Sequence, residues 1–169
     1  MKPLTSRRII LKSGLALAGG LLIGNQSIAH GVNHDTQDKP APLPPDLVKD
    51  FVSAGHGNLK KVMEMLEQQP ALLNATWDWG GGDFETGIEG AGHMGNRELA
   101  EFFLSKGARM NIFCAAMLGK LDIVQSTLTA YPALKTSKGP HGLMLLHHAQ
   151  KGGDAAKPVL EYLQSIGAS

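Results

Sequence analysis

Acidic and imidazole side chains able to do acid–base or metal chemistry lie between residues 85 and 93. Glu85, Glu89 and His93 follow one another at intervals of four residues, and this spacing places side chains on one face of a helix. Together they could polarise a water molecule or supply metal ligands. General acid–base catalysis also needs a perturbed pKa, which a sequence does not reveal. The residue pattern therefore favours a capping or surface pair formed by Glu89 and His93.

A second group of imidazoles lies near the C-terminal end, at His141, His147 and His148. A zinc site needs three or four converging ligands. Adjacent residues on a helix point about 100° apart, so His147 and His148 are poorly placed to bind the same ion. The sequence predicts no metal and no cofactor. A site around His141 and His147, or one around Glu89 and His93, is the alternative.

Motifs of nucleophilic, zinc-hydrolase and nucleotide-binding enzymes are missing from the sequence. It contains neither a Gly-x-Ser-x-Gly elbow nor a His-Glu-x-x-His helix. The glycine triplet at 80–82 is not followed by the Lys and Ser/Thr of a phosphate-binding loop. Cys114, the single cysteine, has apolar neighbours and is expected to be a small core residue rather than a reactive thiol. We therefore predict no catalytic residue and no enzymatic activity.

The segment between residues 74 and 85 combines aromatic and acidic side chains with the glycine triplet. It holds Trp77, Asp78, Trp79 and Phe84, and exposed tryptophans are frequent anchors of protein–protein interfaces. This composition is typical of a partner-binding loop. The alternative is a hairpin in which Trp77 and Trp79 fold back on the following helices and replace a missing turn. The sequence leaves both interpretations open.

The charge balance argues against nucleic acid as a partner. Residues 30–169 hold 12 basic and 15 acidic side chains, a net charge of −3. Nucleic-acid-binding domains instead present a basic face and usually aromatic stacking platforms. We expect another protein as the partner, and its identity is left open.

Residues 1–29 resemble a twin-arginine export signal. Arg7 and Arg8 precede an apolar run at 15–23 that is about half as long as a bilayer-spanning helix. Small residues near position 29 would suit a signal peptidase, so we expect cleavage after Ala29 and a periplasmic or otherwise exported location in a bacterium. The resemblance implies contact with a membrane only during export. Residues 30–45 become Pro-rich and form a predicted linker.

Beyond residue 45, the sequence repeats a pattern of two short apolar segments separated by a glycine. The recurring glycines are Gly57, Gly95, Gly119 and Gly153. The segments after the first three glycines have apolar residues at helical intervals, which predicts amphipathic helices. These segments span residues 58–66, 96–104 and 120–128. Stacked helix pairs of this kind create a common core that no single pair can bury.

On these features, residues 46–169 resemble the ankyrin-repeat family. The turn at 107–111, Gly-Ala-Arg-Met-Asn, is similar to the family's Gly-Ala-Asp-Val-Asn, and Leu-His-His-Ala at 146–149 is similar to its Leu-His-x-Ala. The resemblance implies an all-α ankyrin solenoid of about four helix-turn-helix repeats, with His147 linking neighbouring repeats by hydrogen bonds. Gly95 and Gly119 are closer together than any other neighbouring pair of the recurring glycines. The stretch between them is too short for the usual β-hairpin finger, so one finger is expected to be shortened or missing.

The leading functional hypothesis is an exported ankyrin-repeat module that binds another protein and has no catalysis of its own. It follows from the family resemblance and from the missing catalytic motifs. The alternative is a small periplasmic enzyme or a metal-handling accessory protein. The predicted partner-binding residues are Trp77, Asp78, Trp79, Phe84, Arg109, Asn111, Lys138 and His141.

Overall fold

The computed structural model describes residues 40–168. The predicted export signal, with Arg7 and Arg8, and most of the predicted linker lie outside the described residues. Most of the described chain is helical, which confirms the expected helical class. The α-helices of this part are α1 (Pro45–Ala54), α2 (Leu59–Gln68), α3 (Gly87–Met94), α4 (Arg97–Ser105), α5 (Ile112–Met117), α6 (Leu121–Ala130), α7 (Leu145–Lys151) and α8 (Lys157–Ser165).

A short antiparallel hairpin lies between α2 and α3. Its strands, β1 (Thr76–Asp78) and β2 (Phe84–Thr86), pair so that Trp77 lies opposite Glu85. Within residues 40–168 no strand lies between α4 and α5, in line with the short interval between the glycines there. Single 3-10 turns occur at Pro70–Asn74, Pro132–Thr136, Pro140–Gly142 and Gly153–Ala156.

The helix ends follow from side-chain caps and glycines. Asn58, Asn96 and Asn111 each accept a backbone hydrogen bond in the first turn of the helix that follows, α2, α4 and α5 respectively. Gly95 and Gly119 end α3 and α5 with φ values of 77° and 70°, a left-handed conformation that favours glycine. The three helices expected after the recurring glycines are confirmed as α2, α4 and α6.

The helices pack in consecutive pairs: α1 with α2, α3 with α4, α5 with α6, and α7 with α8. The first helices of neighbouring pairs also touch, α1 with α3, α3 with α5, and α5 with α7. In addition, α3 contacts α7 directly, so the short α5 does not fully separate them. This contact brings the end of α3 close to the segment that leads into α7.

The core consists of two apolar clusters. The first includes Phe51, Leu99 and Phe103, and the second includes Leu145 and Leu163. Burying a side chain of this size stabilises the fold by about 1.5–3 kcal/mol. Cys114 is also buried, which confirms the prediction of a core residue. No helix among residues 40–168 has the length and apolar character that crossing a membrane requires.

Candidate metal centre

Four side chains from separate elements converge in one cluster. His56 follows α1, Glu85 lies on β2, His93 lies on α3, and His141 lies in the turn before α7. One ligand-type atom from each lies within 4.8 Å of the others. Helix α3 contacts both α1 and α7. The packing of these three helices therefore positions the four residues.

The Glu85 carboxylate is the centre of the cluster. It is fully buried, and three imidazole Nε2 atoms surround it. His93 Nε2 lies 2.9 Å from Oε1, while His56 Nε2 and His141 Nε2 lie 3.3 Å and 3.5 Å from Oε2. A metal ion with bonds of about 2.0–2.1 Å holds neighbouring tetrahedral ligands about 3.3–3.4 Å apart. The three separations from Glu85, 2.9–3.5 Å, bracket that value, so the four residues could hold a metal ion.

Two buried polar atoms in the cluster have no hydrogen-bond partner. These are Glu85 Oε1 and His93 Nε2, and they are the only such side-chain atoms among residues 40–168. They lie within ion-pair distance of each other, but their relative orientation does not form a hydrogen bond. Unsatisfied buried groups are rare in native proteins and call for an explanation. A cation placed between these two atoms supplies one.

Hydrogen bonds from Nδ1 fix the orientation of the His56 and His141 rings. The Nδ1–H of His56 donates to the Val52 carbonyl at 3.1 Å, and that of His141 donates to Asp83 Oδ2 at 2.9 Å. With Nδ1 protonated, each Nε2 keeps a lone pair that faces the cluster, which is the form a metal requires. Trp79 Nε1 donates to Glu85 Oε2 at 2.7 Å and orients the carboxylate.

His141 adopts a left-handed backbone conformation, with φ of 58°, and it is the only non-glycine residue with positive φ among residues 40–168. Such a conformation costs about 1–2 kcal/mol for a residue with a Cβ. Asp83 holds it in place, because its Oδ1 also accepts the backbone N–H of His141 at 2.8 Å. That backbone hydrogen bond, assisted by the His141 ring, outweighs desolvation and lowers the pKa of Asp83.

Glu85 remains ionised despite its burial. Burial by itself raises the pKa of this carboxyl, but the adjacent His93 ring, the hydrogen bond from Trp79 and the nearby His56 ring together lower it below the usual value. An ionised, fully buried carboxylate is a strong metal ligand, and it needs a positive partner.

The aromatic residues predicted to bind a partner divide between two roles. Trp77 packs against the first apolar cluster with the Lys49 ammonium 5.7 Å from its ring centroid, while Trp79 faces the metal cluster. Phe84 is 60% exposed. Asp78 Oδ1 accepts the backbone N–H groups of Gly80 and Gly82 and thereby stabilises the glycine turn.

The remaining predicted partner-binding residues are dispersed. The Arg109 backbone is held by the Asn74 side chain, and Asn111 caps α5 while donating to Glu89 at 2.6 Å. Lys138 is exposed and lines a cavity of about 220 Å³ beside the hairpin. His141 alone joins Trp79 at the metal cluster.

The two alternative metal sites suggested by the sequence are not formed. Glu89 accepts the backbone N–H and hydroxyl of Thr86 and caps α3, as the sequence favoured. The expected pair with His93 is not formed, because His93 is buried against Glu85. His147 lies outside the cluster and donates from Nε2 to the His93 carbonyl at 3.0 Å. The structure instead combines two members of the first predicted group, Glu85 and His93, with one member of the second, His141.

Sequence reasoning missed His56. It directly precedes Gly57, and His93 lies two residues before Gly95. An imidazole close to the recurring glycine in each of the first two helix pairs was the available signal.

Comparisons of the chain with known protein families, with characterised proteins and with solved structures found no match.

Proposed function

We propose that the protein binds a divalent first-row transition-metal ion through His56, Glu85, His93 and His141. The observation that carries the proposal is the convergence of four ligand atoms within 4.8 Å of one another, two of which, Glu85 Oε1 and His93 Nε2, are buried without a hydrogen bond. An unsatisfied buried polar group costs about 1–3 kcal/mol, and more when it is charged. One cation between the two atoms satisfies both.

The ligand set favours particular metals. Three imidazoles and one carboxylate suit Zn²⁺, Cu²⁺, Ni²⁺ and Fe²⁺, whereas Mg²⁺ and Ca²⁺ prefer oxygen ligands alone. The general order of affinities puts Cu²⁺ highest, and imidazoles with a carboxylate are ligands that Zn²⁺ commonly takes in proteins. We therefore expect Cu²⁺ and Zn²⁺ to bind tightly and Mg²⁺ not to compete.

The proposal also includes a fold of ankyrin-type repeats and export from the cytoplasm. The consecutive helix pairs and the hydrogen bond from His147 to the His93 carbonyl support ankyrin-type repeats. The direct contact between α3 and α7 departs from strict nearest-neighbour stacking. Export is proposed from the resemblance of Arg7 and Arg8 and their surroundings to a twin-arginine signal.

A metal titration of the full chain tests the proposal. Competition with a chromophoric chelator measures the Zn²⁺ affinity of the wild type, of Glu85→Gln and of Glu89→Gln. The two substitutions make the same chemical change four residues apart, but only Glu85 faces the imidazoles. We expect one ion per chain, a loss of at least about 100-fold for Glu85→Gln, and little change for Glu89→Gln, because Gln also serves in a capping box.

A second matched pair addresses the histidines. His141→Gln removes a proposed ligand, whereas His147→Gln alters a nearby imidazole outside the cluster. Wild-type protein that takes up no Zn²⁺ or Cu²⁺, or binding that survives both Glu85→Gln and His141→Gln, refutes the proposed centre.

Binding of another protein is the second candidate function. It is supported by Phe84, which is 60% exposed at the hairpin, with Lys138 beside it on the same cavity. Pull-down from the native compartment with wild type and with Phe84→Ala tests it. A partner lost on substitution supports the hypothesis, and a set of partners identical for both proteins contradicts this surface.

A further inference from the structure

We infer that the metal ion keeps a solvent-facing coordination position that takes a small monoanion, with a carboxylate as the chemical class of ligand. This inference rests on the proposed function and deepens it, since it assigns the centre an external ligand. Four protein ligands do not by themselves close the centre, since a zinc site can expand to five ligands, and an accessible fifth position lets it bind or transform a molecule.

Burial differs sharply between the two sides of the cluster. On the inner side, the Glu85 side chain is fully buried and that of His93 is 8% exposed. On the outer side, the side chains of His56 and His141 are 26% and 33% exposed. The cluster is therefore enclosed by protein on the side of Glu85 and His93 and partly exposed on the side of His56 and His141, where an ion would be reached from solvent.

Three rings form the rim of this outer side. The ring centroids of His56, Trp79 and His141 lie 6.0, 6.1 and 6.2 Å apart, so they mark a nearly equilateral triangle. His93 lies closer to the two rim imidazoles, at 4.8 and 5.0 Å, on the buried side. These three rings therefore surround the partly exposed side of the cluster.

Trp79 gives the partly exposed side of the cluster an apolar surface. Its indole N–H is already donated to Glu85, so the ring offers an external ligand its π-face and edge rather than a hydrogen bond. The residue is 36% exposed, which leaves part of the ring available. A flat organic anion gains contact area there that a small inorganic anion does not.

Charge selects the kind of anion. A divalent ion with the Glu85 carboxylate and three neutral imidazoles keeps one net positive charge, which a monoanion neutralises. A dianion such as phosphate would leave a net negative charge beside the Asp83 carboxylate, which lies next to the ion's ligand His141. Carboxylates therefore fit the position better than phosphates.

The test uses the full chain loaded with Co²⁺, whose visible absorption reports changes in coordination number. Azide, benzoate and inorganic phosphate are titrated separately at about pH 8, where phosphate is largely a dianion. We expect saturable spectral changes with azide and benzoate, and binding of phosphate at least tenfold weaker.

Tryptophan variants separate the rim from the rest of the protein. In Trp79→Phe, benzoate affinity should fall about two- to tenfold relative to azide affinity in the same variant. The ratio cancels any change in how the variant holds Co²⁺. Trp77→Phe is the matched control, because Trp77 packs against the first apolar cluster and Lys49 instead, and its ratio should equal that of the wild type.

Each outcome distinguishes the inference from the proposed function. A chain that takes up no Co²⁺, Zn²⁺ or Cu²⁺ contradicts the centre itself. A loaded chain whose spectrum no anion alters has a closed coordination sphere, which overturns the inference and leaves the metal proposal intact. Phosphate binding as tight as that of benzoate overturns the assignment of a monoanion.

Discussion

Lowering the pH should destabilise the protein through His148, a buried imidazole outside the metal cluster. His148 is 1% exposed, packs against Phe113 and donates from Nδ1 to the Met144 carbonyl at 2.8 Å. Burial, together with the charges of His147 and His93, outweighs that hydrogen bond and lowers the pKa of His148 to about 4.

The sign and size of the effect follow from this shift. Between an unfolded pKa of 6.5 and the folded value of about 4, the unfolded chain takes up a proton that the folded chain refuses. The free energy of unfolding therefore falls as the pH drops through this window and changes little below it. One pKa unit corresponds to about 1.36 kcal/mol, so the loss at about pH 4.5 is about 2–3 kcal/mol.

The assay is urea unfolding of wild type and His148→Asn between about pH 7.5 and about pH 4.5, with a chelator present to keep the metal cluster free of ions. The Asn amide can donate in place of Nδ1–H but does not titrate. The wild type should lose about 2–3 kcal/mol more than the variant over this range. His148→Gln provides a second non-titrating side chain of different length. A stability difference between wild type and both variants that stays constant with pH would refute the reasoning.

Three further predictions concern other sites. Asp83→Asn should lower Zn²⁺ affinity about 10- to 100-fold in chelator competition, because it weakens the hydrogen bonds from the His141 backbone and ring to residue 83. Unchanged affinity would contradict this positioning role of Asp83. Cys114 should resist maleimide in the native protein and react only after unfolding, since burial raises its pKa to about 12. Mass spectrometry measures the labelling, and rapid labelling of the native protein would contradict the prediction. Gly119→Ala should lower the free energy of unfolding, measured in urea, by at least about 2 kcal/mol, because Gly119 has a positive φ and an added Cβ would collide with the Ala155 carbonyl. Gly57→Ala is the control and should cost under about 1 kcal/mol, because the space around Gly57 is open. Equal losses for the two variants would contradict this reasoning.

Much of the local structure could be predicted from the residues. The apolar intervals after Gly57, Gly95 and Gly119 identify α2, α4 and α6, because a helical stripe is a property of neighbouring residues. The capping role of Glu89 follows in the same way from its position three residues after Thr86. Such interactions span a few residues and leave a signature in the sequence.

The candidate site depends on residues that are distant along the chain. His56 lies far upstream of Glu85, and His141 lies far downstream of His93, so no local spacing connects these ligands. The sequence placed Glu85 and His93 in one group and His141 in another. The same predictions included Glu89 in the first group and His147 in the second. In the structure Glu89 caps α3, and His147 forms a hydrogen bond between helices.

The helices, their caps, their glycine ends and the burial of Cys114 could all be read from the order of the residues, because they depend on short-range sterics, hydrogen bonds and apolar periodicity. Which polar side chains meet depends instead on how distant segments pack. The short α5 lets α3 reach α7, and the left-handed turn at His141, held by Asp83, directs that imidazole toward Glu85. Long-range packing sums many small contacts between distant segments, so the convergence of four ligands emerges only when the chain is folded.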